Sequence, residues 1–238
     1  MDAQEVVSEL RRLARPCDLE ELARYGIRGK EILGVRTPDL MSLAKKLGRD
    51  HSLALALWRT GVYEARHLAI LVDDPDKVTE AQMDRWATDF DSWAVCDGAC
   101  LHLFDRTRFA YEKAVEWSSR DEEFVKRASF ALMAVLAVHD KDAPDSAFLG
   151  WLPIVLREST DDRAYVKKAV NWALRQIGKR NQRLNKAAIA TAVRISRLDS
   201  RAARWIASDA LRELRSDAVR RRLDARRPAV RPGRHPSS

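Results

Sequence analysis

The five residues Phe124-Val125-Lys126-Arg127-Ala128 recur forty-one positions later as Tyr165-Val166-Lys167-Lys168-Ala169, each time opening a long apolar helix after an acidic residue, Asp121 or Asp161. Tyr63-Glu64-Ala65-Arg66-His67 is a weaker third copy. A repeat of roughly thirty to forty residues built from paired helices is the pattern of HEAT or armadillo solenoids, where one pair cannot bury its apolar face alone and must stack on the next. No run of alternating β-branched residues bounded by turn signals calls for a strand. The expected fold is therefore all-α, a superhelix of HEAT-like or armadillo-like repeats whose concave face could hold a long polymer.

Periodicity predicts helices over 3–14 and 18–28, broken by Pro16, with Tyr25 near the end of the second and Gly26, Gly29 and Gly34 loosening the stretch up to Arg36. Thr37-Pro38 opens a helix that Gly48 closes after Leu47, because proline at the first helical position sacrifices no hydrogen bond. Further helices are expected over 51–60 and 63–72, turning at Gly61, and over 79–89, with Thr79-Glu80-Ala81-Gln82 as a capping box. A helix carrying Trp93 and Asp97 comes next, then others near 107–118, 121–138, 146–158, 161–178, 183–197 and 199–214. Residues 1–217 read as one domain. Arginine, proline and serine dominate 218–238, a composition that predicts a basic, disordered tail.

The net charge of +8 is unevenly placed. Seven arginines against Asp224 give residues 220–238 a net of +6, while 163–198 holds ten basic residues and no acid, among them Lys168, Arg175, Lys179 and Arg180. Everything else totals −8, so the body is polarised, and segregated charge points to a polyanionic partner. No apolar run approaches eighteen residues and the N-terminus lacks signal-peptide character, so a soluble cytoplasmic protein without a membrane partner is expected. The three cysteines, Cys17, Cys96 and Cys100, have no second ligand pair; reduced thiols and no metal are expected. No P-loop, Gly-x-Gly-x-x-Gly or Gly-x-Ser-x-Gly is present, which argues against nucleotide hydrolysis and Ser-His hydrolase chemistry.

One stretch stands out, Phe90-Asp91-Ser92-Trp93-Ala94-Val95-Cys96-Asp97. With Ser92 or Asp91 as cap, Trp93 and Asp97 lie one turn apart, and the same face continues through Cys100, Leu101 and Phe104. A carboxylate in such a stripe must be paired, protonated or facing an opening, since burying it alone costs several kcal/mol by order of magnitude. Spacing alone also fits a core tryptophan with a helix-stabilising carboxylate. Arg127 could pair with Asp97 across repeats or merely snorkel. Trp172 fits the core or, being in the acid-free segment, a ligand contact. Tyr25 is uninformative by itself.

The Asp91–Asp97 run, the Val125-Lys126-Arg127-Ala128 helix and the helix from Val166 to Arg175 together resemble the DNA alkylation repair glycosylases of the AlkD type. Ala23-Arg24-Tyr25, followed by Ile32-Leu33-Gly34-Val35-Arg36-Thr37-Pro38, is similar to that family's opening segment, and the likeness spans roughly residues 20–215. The resemblance implies a monomeric, cofactor-free enzyme. It would embrace duplex DNA containing alkylated bases and hydrolyse the N-glycosidic bond of N3-methyladenine or N7-methylguanine at the exposed backbone, without a closed pocket. It further implies Asp97 as the catalytic carboxylate, accompanied by Arg127, with Trp93, Trp172 and Tyr25 beside the lesion. Arg36, Thr37, Lys168, Arg175, Lys179 and Arg180 complete the expected DNA-binding set. Where the family often has a second tryptophan before the acid, this chain has Ser92-Trp93; the loop at 139–147 and the arginine tail are further departures. A non-catalytic solenoid that reads bent, branched or damaged DNA by shape is the competing expectation, and a scaffold for another protein the third.

Overall fold

The computed structural model describes residues 1–27 and 31–225. Among them lie fourteen α-helices: α1 Ala3–Leu13, α2 Leu19–Arg24, α3 Thr37–Leu47, α4 His51–Arg59, α5 Tyr63–Val72, α6 Glu80–Thr88, α7 Trp93–His102, α8 Ala110–Glu116, α9 Glu123–His139, α10 Asp145–Glu158, α11 Ala164–Gly178, α12 Gln182–Ile195, α13 Arg201–Leu214 and α14 Asp217–Ala225. Pairing between extended segments is confined, among the described residues, to a bridge between Glu31 and Val62. No helix there is long and apolar enough to cross a membrane.

The helices stack as the repeat requires. In one layer α3, α5, α7, α9, α11 and α13 each pack on the next, and α4, α8, α10 and α12 cover them from the other side. At the centre is α9, in which every residue from Val125 to Ala137 is buried. A helix apolar nearly all round can only be a core element, and each large side chain it buries, such as Phe130 or Leu132, contributes roughly 1.5–3 kcal/mol. The stack curves. Tyr165, in the first turn of α11, donates its hydroxyl to the Gly26 carbonyl at 3.5 Å although 139 residues separate the two.

Several local expectations are corrected. Thr79 caps α6 by accepting from the Gln82 N–H, but the Gln82 side chain bonds Asp73 instead of returning to the cap, so only half a capping box forms. The caps of α9 and α11 are Glu122 and Arg163, and neither makes a side-chain cap bond; Asp161 instead accepts from the Arg163 backbone and guanidinium. The helix carrying Asp97 ends at His102, so Phe104 lies beyond it in a 3-10 turn. The chain also stays helical past Leu214, because Val219 and Leu223, four residues apart, bury one face of α14. Gly29 and tail residues 226–238 fall outside the described residues.

Candidate active site

Ser92 starts α7 by accepting from the Ala94 N–H at 3.3 Å, which makes Trp93 the first helical residue and sets Asp97 one turn further on. Arg127 occupies the first turns of α9, the neighbour of α7 in the layer. Its Nε donates to one Asp97 oxygen at 2.8 Å and its Nη2 to the other at 2.6 Å. The third arm of the guanidinium, Nη1, donates to the Tyr165 carbonyl at 2.7 Å. Arg127 thus joins three successive helices of the layer, and its planar fork holds the carboxylate in one orientation. The side chain of Arg127 is 7% exposed and that of Asp97 20%.

Burial raises the Asp97 carboxyl above its ordinary value, opposed by the hydrogen bonds and charge of Arg127. The two-pronged contact of the guanidinium with both carboxyl oxygens favours the ionised form against that burial. Burial likewise pushes the Cys96 thiol up, which leaves it a poor nucleophile, and the buried Cys96 and Cys100 donate to the Phe124 and Ala128 carbonyls. Among the described residues no group of three or more His, Cys, Asp or Glu side chains could hold a metal ion.

Beside the ion pair opens a cavity of about 490 Å³, lined by Arg24, Tyr25, Gly26, Trp93, Arg127, Tyr165 and Lys168. Its far wall is the end of α2. The Trp93 indole N–H donates to the Tyr25 carbonyl at 2.9 Å, and Gly26 has a positive φ of 74° where an added Cβ would stand 2.8 Å from the Tyr165 hydroxyl. Only glycine fits both constraints. Tyr25 is 64% exposed, an aromatic face open to solvent at the rim. The cavity therefore combines aromatic walls, two cations, Lys168 without an ion pair among the described residues and Arg24 only 3.9 Å from Glu20, and a carboxylate reached through Arg127.

Tyr25, Trp93, Arg127 and Lys168 thus line one cavity, while Asp97 is not among its lining residues and is joined to it through Arg127. Trp172 does not line the cavity; it is half-buried on α11, four residues beyond Lys168 and so on the same side of that helix. Arg36 and Thr37 line a neighbouring cavity of about 310 Å³ that shares Tyr25, with Arg36 turned to Asp18 at 3.4 Å. The remaining expected contacts are otherwise engaged. Arg175 and Lys179 both hold Glu213, at 2.5 and 2.6 Å, and Arg180 donates to the carbonyls of Ala137, Lys141 and Ala143 while covering the Phe148 ring. The segment free of acids in sequence is therefore not free of them in space, because α13 supplies Asp209 and Glu213. Lys168, Lys186, Arg194 and Arg197 are exposed and make no ion pair among the described residues.

Tyr165 was not singled out from the sequence as a site residue, although a signal was there. It heads the second copy of the repeat, and the equivalent first-turn positions of α5, α7 and α9 carry Tyr63, Trp93 and Phe124. The rings of Phe124 and Tyr165 lie 5.3 Å apart, so aromatics recur along one edge of the layer.

A family model described as DNA alkylation repair enzyme matches residues 6–214. No curated protein matches the sequence. A solved structure, from a new family of proteins related to the HEAT-like repeat DNA glycosylases with affinity for branched DNA structures, superposes with a TM-score of 0.75. The match covers 94% of this chain and 96% of that one, at 21% identity, a likeness of fold.

Proposed function

Because the chain belongs to the DNA alkylation repair enzyme family, we propose that it hydrolyses the N-glycosidic bond of cationic alkylated purines, N3-methyladenine and N7-methylguanine, in duplex DNA. The observation that carries this reading is a partly exposed carboxylate, Asp97, oriented by Arg127 next to an aromatic-walled, cationic cavity. A methylated purine already bears the positive charge that makes it a good leaving group, so neither a strong general acid nor a metal is needed. What the protein must supply is a negative charge beside the sugar as it becomes an oxocarbenium ion, and a place for water.

Asp97 suits both tasks. A carboxylate offers about four acceptor sites, and the two bonds from Arg127 leave the others for a water or the sugar. The pairing reduces the net charge Asp97 presents, but it fixes the direction in which the remaining lone pairs point, and preorganisation is what an electrostatic stabiliser requires. The faces of Trp93, Tyr25 and Tyr165 add attraction for a cationic base of about 0.5–2 kcal/mol each, while Lys168 and Arg24 are placed for phosphates.

The reading is tested by incubating excess protein with a duplex holding one N7-methylguanine and then cleaving abasic sites with alkali. A strand break at the lesion supports excision. Binding without base release would favour the second reading, a module with affinity for branched DNA like that of the structural relative. That alternative draws on the same geometry, since Arg127 engages both oxygens of Asp97 and the pair could be purely structural.

A further inference from the structure

We propose that Trp205, with Lys167 beside it, is a stacking platform for an unpaired nucleotide lying one repeat away from the cavity. The inference rests on the DNA-binding reading above but not on glycosylase activity. Trp205 is 42% exposed on α13. The opposite side of that helix is buried through Ala203, Ile206, Ala207 and Ala210, so the indole points away from the core. Lys167 of α11 places its Nζ 5.3 Å from the ring centroid, a cation–π contact that steadies the ring while leaving much of it open.

The surroundings are those of a backbone-tracking groove. Lys168, next to Lys167, lines the cavity, and Arg201, one turn before Trp205 on the same side of α13, is exposed without an ion pair among the described residues. The acids of α13 are occupied, Asp209 by Asn171 and Arg212, Glu213 by Arg175 and Lys179. An open aromatic face among unpaired cations is the combination that binds single-stranded nucleic acid without sequence preference, because every base has a face to stack and every nucleotide a phosphate to pair. A base inside a duplex is already stacked on both sides, so the occupant is a nucleotide out of the helix. Neighbouring helices pack roughly 8–10 Å apart, which at about 3.4 Å per nucleotide puts the platform about three nucleotides from a lesion at the cavity.

Full-length wild-type protein, Trp205→Ala and Trp205→Phe are compared for affinity to a fully paired labelled duplex and to the same duplex with a three-nucleotide unpaired bubble. Wild type is expected to bind the bubble about tenfold more tightly. Trp205→Ala should lose that preference while keeping its affinity for the paired duplex, and Trp205→Phe should keep most of it. Equal weakening on both substrates, or no preference in the wild type, overturns the platform. Excision of N7-methylguanine from the paired duplex, measured on the same samples, separates the two ideas. A protein that prefers the bubble without excising sinks the glycosylase and leaves the platform, and one that excises without preference does the reverse.

Discussion

Glu64 and Asp97 are carboxylates on adjacent helices of the same layer, and the structure treats them in opposite ways. Glu64, on α5, is fully buried, and its oxygens accept from the backbone N–H groups of Leu33, Gly34 and Val35 at 2.8–3.3 Å. Every donor is rigid backbone, and nothing from solvent can reach the group. It clamps the segment between α2 and α3 to the stack. Asp97, on α7, has a side-chain donor instead and keeps a fifth of its surface open. A displaced carboxylate in an apolar stripe is therefore no sign of chemistry by itself. What distinguishes the two is residual access and an acceptor capacity not yet used up.

The largest expected effect separates them by activity. Asp97→Asn keeps the shape but removes the charge, and single-turnover excision should fall by about 10²-fold or more. Affinity for an abasic-site duplex should stay within a few fold. Because Arg127 loses its counter-charge, thermal melting must accompany the kinetics, and a folded Asn variant with undiminished excision ends the catalytic assignment.

Glu64→Gln should do the converse. Its amide cannot accept all the bonds the carboxylate accepts, and leaving buried N–H donors unmatched should cost about 2–3 kcal/mol of stability. Excision per folded molecule should not change. A loss of activity at full stability would mean that the α2–α3 segment tunes the cavity through Tyr25.

On α5, one turn beyond Glu64 and beside α7, His67 is half-buried with its ring against Gly98, where an added Cβ would stand 3.4 Å away. Desolvation, helped by the charge of His102, lowers its pKa to about 4 from the 6.5 of a free histidine. The unfolded chain therefore takes up this proton at higher pH than the folded one. The contribution is fully present above pH 6.5 and is lost as pH falls towards 4, about 2 kcal/mol of it between pH 7 and 5. Denaturant midpoints at the two pH values, compared with those of His67→Gln, isolate the effect; parallel pH dependences would show that His67 does not titrate in this window.

Helix positions were legible wherever punctuation was strong. Thr37-Pro38 and Gly48 bound α3 where expected, because proline at a helix start and a glycine of positive φ at its end act locally. The one-turn spacing marked Asp97 as a carboxylate needing a partner, but whether Arg127 paired with it or merely snorkelled stayed open until α7 and α9 were seen side by side. Glu64 was not legible, since its partners are backbone groups about thirty residues away that no side-chain pattern announces. Nor was the pairing of Arg175 and Lys179 with Glu213, which arises only when α13 packs beside α11. The helix α14 was hidden because Val219 and Leu223, set among arginines and aspartates, read as tail until a surface receives them.

That spatial neutralisation gives the last and smallest prediction. If the open carboxylate faces DNA, the cations that matter are those without acids, and Lys168 at the cavity is the foremost. Lys168→Glu should weaken binding to any duplex and flatten the dependence of log affinity on log salt by about 0.9 for each lost phosphate contact. Stability should hardly change, because the side chain is exposed and makes no ion pair among the described residues. Arg175→Glu, though equal in charge change, should instead set three acids together at Asp209, Glu213 and position 175 and lower the melting temperature. If both variants changed the salt slope equally at unchanged melting temperature, the ion pairs to α13 would not hold in solution, and the whole stretch from 163 to 198 would return to the DNA footprint.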